Sequence, residues 1–130
     1  MTEPYEEDIV ALATANTCFR RVVVTGEHAQ VVLMCVPPGG EIGDEVHHVD
    51  QLLAFVAGEG LALVGGTRRP IARNSMVFVP AGTRHNFVNT GPGDLKLFTI
   101  YAPPQHAPGT VHRTKAEADA TERAAQPTGG

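Results

Sequence analysis

An all-β chain, folded as a sandwich or barrel with the jelly roll as its natural form, is what this sequence predicts. Two observations carry that prediction. Eight or so short runs rich in β-branched and aromatic residues follow one another, each closed by a Gly or Pro turn, and no stretch before residue 110 has a convincing helical pattern.

Residues 1–18 read as a lead-in, acidic through Glu3, Glu6, Glu7 and Asp8 and then apolar over Ile9–Ala13, a piece whose state the pattern leaves open. Phe19–Thr25 and Gln30–Val36 are β-branched runs separated by Gly26–Ala29, which is hairpin spacing. Pro37-Pro38-Gly39-Gly40 ends the second run and redirects the chain. Leu52–Val56 and Leu61–Val64 flank Gly58-Glu59-Gly60, where glycines inside a strand pattern point to a bulge or bend. Gly65-Gly66-Thr67 turns the chain again, with Arg68 and Arg69 in the hairpin turn as solvated surface. Met76–Val79, His85–Asn89 and Leu95–Ala102 complete the barrel, and Pro103, Pro104 and Pro108 break the sheet beyond it. The barrel spans residues 19–112. Residues 113–130 form a tail in which Thr114-Lys-Ala-Glu117 has capping-box form, so that a short helix is expected over Ala116–Ala125 and fraying over Gln126–Gly130.

Composition narrows the functional classes. A chain of 130 residues, 42% hydrophobic and 18% charged, suits one folded domain with one core. The net charge is −4 and the basic residues cluster no further than Arg20-Arg21 and Arg68-Arg69, so nucleic acid is not an expected partner. No apolar run has the length of a signal or a membrane span, which points to a cytoplasmic protein without a membrane role. Cys18 and Cys35 lack metal or disulfide spacing and read as ordinary thiols.

Chemistry concentrates in Gly39–Gly58, which reads as a β-hairpin. Glu45 and His47, two apart, share one face of an extended strand. His48, Val49 and Asp50 make a turn, and the returning strand brings Gln51 back beside His47. His85, early in the strand after Pro80–Gly82, supplies a fourth donor. Glu45, His47, Gln51 and His85 are therefore the candidate metal ligands. His28, His48, His106 and His112 carry no such signal and read as packing or surface. Strand parity puts Leu53 and Phe55 on the face of Gln51 and Phe87 on that of His85, so Phe55 and Phe87 are expected either to wall a small-molecule pocket or to serve as core. On the last strand Lys96, Phe98 and Ile100 share the outer face, which an N-terminal strand or a second subunit should cover.

These residues resemble the cupins. The first cupin motif is matched in spacing by Gly39, Glu45, His47, Gln51 and Gly58, with Glu45 in the first histidine position and Gln51 in the glutamate position; the second is matched by Asn74, Pro80, Gly82, His85 and Asn89, with Asn74 for the leading glycine. Asn tolerates the left-handed backbone that glycine serves there. The resemblance implies a double-stranded β-helix of the small single-domain bacterial kind, one divalent metal ion per chain (Fe, Ni, Mn, Cu or Zn) at one end of the barrel, and a homodimer. It also implies that the residue at position 51 can act as a base. An amide cannot accept that proton, which leaves Glu45, a bound hydroxide or the substrate as the base, with Glu45 the catalytic candidate among the residues.

Two imidazoles and a carboxylate form the set found in facial-triad iron sites, and an open position on such an ion can take dioxygen or polarise an oxygen-rich substrate. The leading expectation is a metal-dependent oxygenase acting on a small oxygen-rich organic molecule. A sugar or enol isomerase or lyase, and a binding module for a small molecule or metal without turnover, are the alternatives.

Overall fold

In a computed structural model, which describes residues 3–125, the chain is a β-barrel of two antiparallel sheets with a short helix at either end. Helix α1 (Ile9–Ala15) is followed by strands β1 (Arg20–Thr25), β2 (Gln30–Val36), β3 (Asp50–Ala57), β4 (Glu59–Val64), β5 (Thr67–Ala72), β6 (Met76–Val79), β7 (His85–Asn89), β8 (Leu95–Ala102) and β9 (Val111–His112), and then by helix α2 (Lys115–Ala125). One sheet has the order β6-β3-β8-β2-β1-β9 and the other β5-β4-β7. This is the double-stranded β-helix expected above.

The period of two, clearest along β3 and β8, decides what enters the barrel. β8 buries Leu95, Leu97, Thr99 and Tyr101, β3 buries Gln51, Leu53 and Phe55, and β7 buries His85 and Phe87. Phe55, Phe87, Leu53, Leu95, Leu97, Val32, Met34 and Val36 belong to one continuous core. Each such side chain removed from water stabilises the fold by about 1.5–3 kcal/mol. Cross-strand register then sets a polar row at one end of the core: Gln30 lies opposite Tyr101, Tyr101 opposite Gln51, and Gln51 opposite Val79.

Five sequence expectations are corrected. A helix does precede residue 110, because Asp8 caps α1 by accepting a hydrogen bond from Ala11 N at 3.0 Å and the alanine-rich segment needs no further local support. It packs on β8, where Lys96 Nζ donates to Thr14 O at 2.6 Å, so the outer face carrying Lys96, Phe98 and Ile100 meets a helix and not an N-terminal strand. Arg68 and Arg69 lie on a strand, β5, opposite Leu63 and Ala62 of β4; the turn is only Gly65-Gly66, both at positive φ, which suits a tight hairpin. The two arginines are exposed, as expected, and Pro70 sits on the sheet edge where its missing N–H costs no ladder bond. The sheet also resumes after the prolines, since β9 pairs with β1, His112 opposite Arg20. Finally, Gly39–Gly58 is not a hairpin: residues 41–49 are an extended crossing segment joined to β7 by two isolated bridges, Glu41 to Val88 and Glu45 to His85.

Other expectations hold in detail. Asn74 has φ of 76°, the left-handed conformation its glycine-like position requires. Gly58 and Gly60 stand where a Cβ would lie 2.5 Å from Asp94 O and 2.4 Å from Val88 O, so close backbone approach excludes a side chain. Glu117 N donates to Thr114 Oγ1 at 3.1 Å, the expected cap, and α2 starts one residue earlier than its pattern suggests. Cys18 and Cys35 are free thiols. The tail from Gln126 lies outside the described residues. Among the described residues no helix is long and apolar enough to cross a membrane.

Candidate metal centre

Glu45 and His85 are cross-strand partners. The N–H of each donates to the carbonyl of the other at 2.9 Å, an arrangement that puts their side chains on the same face. Two residues on, the His47 ring reaches the same point, its Nε2 3.2 Å from Glu45 Oε2. The Pro80–Gly82 turn fixes the segment from the other side, because Gly82 N donates to His47 O at 2.8 Å. One ligand atom from each of Glu45, His47 and His85 therefore lies within 4.8 Å of the other two.

Hydrogen bonding decides which ring nitrogens remain available. The Thr99 hydroxyl gives its one proton to Leu52 O at 2.9 Å, so it must accept from Gln51 Nε2 at 3.0 Å. The Gln51 carboxamide is thereby oriented with Oε1 toward His47 Nδ1 at 3.1 Å, and His47 Nδ1 is the donor. In the neutral ring Nε2 is then a bare lone pair facing the Glu45 carboxylate. Two acceptors 3.2 Å apart repel unless a cation, a proton or a metal ion, lies between them or beside them. His85 follows the same logic: its Nδ1 donates to Thr83 O at 2.8 Å, which leaves Nε2 buried without a partner. A buried acceptor left unpaired costs about 1–3 kcal/mol, and a metal ion removes that cost. This donor set fits a divalent ion, with Gln51 and the Thr83 carbonyl as the outer groups that fix the imidazoles.

Electrostatics agree. Burial works against ionisation of Glu45, but the hydrogen bond and charge of His47, then the charges of Arg20 and His85, outweigh it and hold the carboxyl below the usual carboxylate range. A chain of rings runs inward from the ligands: His85 to His47 with centroids 5.1 Å apart, His47 to Tyr101 at 5.6 Å, and Tyr101 to His106 at 5.1 Å. Burial pushes the Tyr101 hydroxyl well above its ordinary range, against the pull of Arg20. Burial and then Arg20 push His106 down to about 3, so its ring is neutral.

Glu45, His47, Gln51 and His85 thus meet as the spacing implies, although Gln51 is engaged by His47 and Thr99. Phe55 and Phe87 are fully buried and pack on each other at 5.8 Å, with Phe87 6.1 Å from His85; they fill the barrel beneath the ligands. Residues missed by sequence reasoning are Arg20, Thr99, Tyr101, His106 and His112. Tyr101 and Thr99 were in phase with Leu95 and Leu97 and could have been found by parity. Arg20 could not, because an Arg-Arg pair at the start of a strand reads as solvated, yet this guanidinium is buried and only Arg21 is exposed. His28 and His48 are exposed, the surface position expected for them.

Comparison with known proteins agrees with this architecture. The chain is 43% identical to the uncharacterized protein YrkC of Bacillus subtilis (strain 168) over 127 residues, which is 92% of this chain and 68% of that protein. The crystal structure of BH2720 from Bacillus halodurans superposes with a TM-score of 0.90 at 43% identity, covering 91% of this chain and 95% of that one. A Thermotoga maritima structure described as a predicted oxalate decarboxylase is 25% identical with a TM-score of 0.57, over 60% of this chain and 69% of its own. With its residues 32–101 matching the Cupin domain model, a span that includes all four candidate ligands, this chain belongs to the cupin family.

Proposed function

We propose that this cupin holds one divalent metal ion through His47 Nε2, His85 Nε2 and a Glu45 carboxylate oxygen, and that it is a metal-dependent oxygenase acting on a small, oxygen-rich organic molecule. One observation carries the reading: His47 Nε2 and His85 Nε2, their other nitrogens already committed to Gln51 and Thr83, converge with Glu45 while lacking any neutral partner of their own. Two imidazoles and one carboxylate are the donor set of non-haem iron oxygenases, and they also accept Ni, Mn, Cu or Zn. Such an ion, when bound, supplies Lewis acidity toward substrate oxygens and, if redox-active, dioxygen chemistry.

This chain's own residues supply the rest. Gln51 and Thr99 lock the His47 ring, and the Thr83 carbonyl locks that of His85. Phe87 and the protonated Tyr101 keep water from the inner side of the ligands. Glu45, part-exposed and ionised, is the carboxylate placed to accept a proton from a substrate hydroxyl or an activated C–H.

Elemental analysis of untagged protein after metal reconstitution should give about one equivalent per chain, and His85→Ala should fall below about a tenth. Dioxygen uptake across a panel of diketones, flavonols and sugar acids reads the oxygenase activity. A second reading, a lyase or isomerase acting on an acidic or enol substrate, is favoured by the likeness to the Thermotoga protein's description. Turnover without dioxygen consumption selects it, and no turnover across the panel selects a binding module.

A further inference from the structure

Two neighbouring rows of cross-strand partners lead from the metal centre across the three-stranded sheet. In the first, Glu45 lies opposite His85, His85 opposite Val64 of β4, and Val64 opposite Thr67 of β5. In the second, Phe87 lies opposite Ala62, and Ala62 opposite Arg69. Residues directly opposite one another share a face of the sheet, and so do residues two apart on one strand. The face here is the inner one, since His85, Phe87, Ala62 and, two beyond Arg69, Ile71 are all buried. Thr67 and Arg69 are therefore the far ends of rows that begin at the proposed ligands and at Phe87 beneath them. With strands about 4.8 Å apart, the backbone of Thr67 stands about 10 Å from that of His85.

A cleft of about 280 Å³ opens where these rows end, between the edge strands β5 and β6. Ala62, Val64, Val77 and, at the exposed rim, Phe78 give it apolar walls, and Thr67 and Arg69 are its polar groups. On the β6 side Val77 lies opposite Leu53 and Val79 opposite Gln51, so this wall too joins the strand that orients His47. No acidic side chain lines the cleft, and no ion pair among the described residues uses Arg69. The neighbouring arginines are not alternatives. Arg84, the residue before His85, is already held by Asp44 at 2.7 Å, and Arg68, opposite Leu63, is on the other face of the sheet.

We propose that this cleft binds a small amphipathic carboxylic acid, with its apolar body against Val64 and Val77, its carboxylate on Arg69, and its far, oxygen-bearing end directed along the Val64–His85 row to the metal centre. Arg69 is then a specificity-determining residue. An unpaired guanidinium takes a carboxylate by two parallel bonds, the apolar walls exclude a wholly polar ligand, and the cleft lies just below the volume of ordinary small-molecule pockets, which limits the body to about one ring with a short arm. Only the placing of the far end rests on the metal-centre reading above; the cleft and Arg69 stand without it.

The test is calorimetric titration of 3-phenylpropanoate, and of uncharged 3-phenylpropanamide as control, into metal-free protein. The acid should bind at least about fivefold more tightly than the amide. Arg69→Met, at an exposed edge position, should abolish that preference, whereas Arg68→Met should keep it. Equal binding of acid and amide, no binding of either, or the same loss in both arginine variants overturns the assignment. For the far end, 3-(3,4-dihydroxyphenyl)propanoate is titrated into protein carrying one zinc per chain and into the metal-free form. Zinc should tighten its binding at least about tenfold, and Arg69→Met should weaken it with zinc content unchanged. Zinc-loaded protein that binds this acid no better than the metal-free form overturns the link between cleft and metal centre. Failure to load zinc, with the acid preference intact in metal-free protein, would overturn the metal reading alone.

Discussion

Glu45 and His85 exchange two backbone hydrogen bonds of 2.9 Å across a single bridge, so the spacing between two of the three proposed ligands is set by main chain and not by side-chain contacts. Substitution at either position should leave that frame in place. Glu45→Gln, whose amide oxygen can still coordinate, is expected to lower metal affinity roughly tenfold, whereas His47→Ala should lower it more than about a hundredfold. Competition with a chelating dye measures both. Metal-replete Glu45→Gln turning over at the wild-type rate would refute Glu45 as the proton acceptor.

Gln51 owes its orientation to Thr99, and His47 owes its tautomer to Gln51. Gln51→Leu should therefore weaken metal binding about 10- to 100-fold without removing any proposed ligand. Thr99→Val, which releases the Gln51 amide, should cost about 1–3 kcal/mol of stability and give a smaller loss of affinity. Equal metal affinity in Gln51→Leu and wild type would rule out the orienting role.

His106 gives acid sensitivity of a defined sign. Its ordinary value of 6.5 applies to the unfolded chain, and burial together with Arg20 depresses it to about 3 in the fold. Between these values the unfolded state binds a proton that the folded state does not. Stability present above pH 6.5 is therefore lost as pH falls toward 3, by about 2 kcal/mol at pH 5. His112 is depressed by the same two causes and adds in the same direction. Urea denaturation at pH 7.5 and pH 5 should show a smaller difference in His106→Asn than in wild type. An identical difference would count against a neutral, part-buried His106.

Asn74 tests the left-handed position at φ of 76°. Asn74→Gly should be neutral or stabilising, whereas Asn74→Ala should cost about 1 kcal/mol, because a Cβ disfavours this backbone and no side-chain gain offsets it. Thermal melts of the two variants distinguish the cases.

A homodimer is the proposed assembly, and the β6 edge offers two exposed apolar side chains for it. The six-stranded sheet ends on β6, where Met76 and Phe78 are 63% and 52% exposed on the same side of the strand. Light scattering at micromolar concentration should give twice the chain mass, and Phe78→Glu should give the monomer. A monomeric wild-type protein would sink this expectation.

How much of this could be read without coordinates follows from the range of the interactions involved. Strand runs, glycine and proline turns, the left-handed Asn74 and the α2 cap depend on neighbours a few residues away, and the resemblance of the spacing to the cupin motifs implied that Glu45, His47, Gln51 and His85 meet. Helix α1 was hidden because its support is an exposed Asp8 cap and a docking surface on β8 that only the folded sheet creates. β5 was hidden because an edge strand exposed on both faces, as at Thr67–Pro70, has no alternation to show. The crossing segment at residues 41–49 reads as half of a hairpin because its true partner, β7, lies some forty residues away. Only tertiary structure could decide that Gln51 orients His47, since Thr99 comes from another strand and its single proton settles the direction of the chain. The same holds for Arg20: its burial results from α2 and β9 closing over the start of β1, contacts made by residues about a hundred positions away whose geometry no local pattern records.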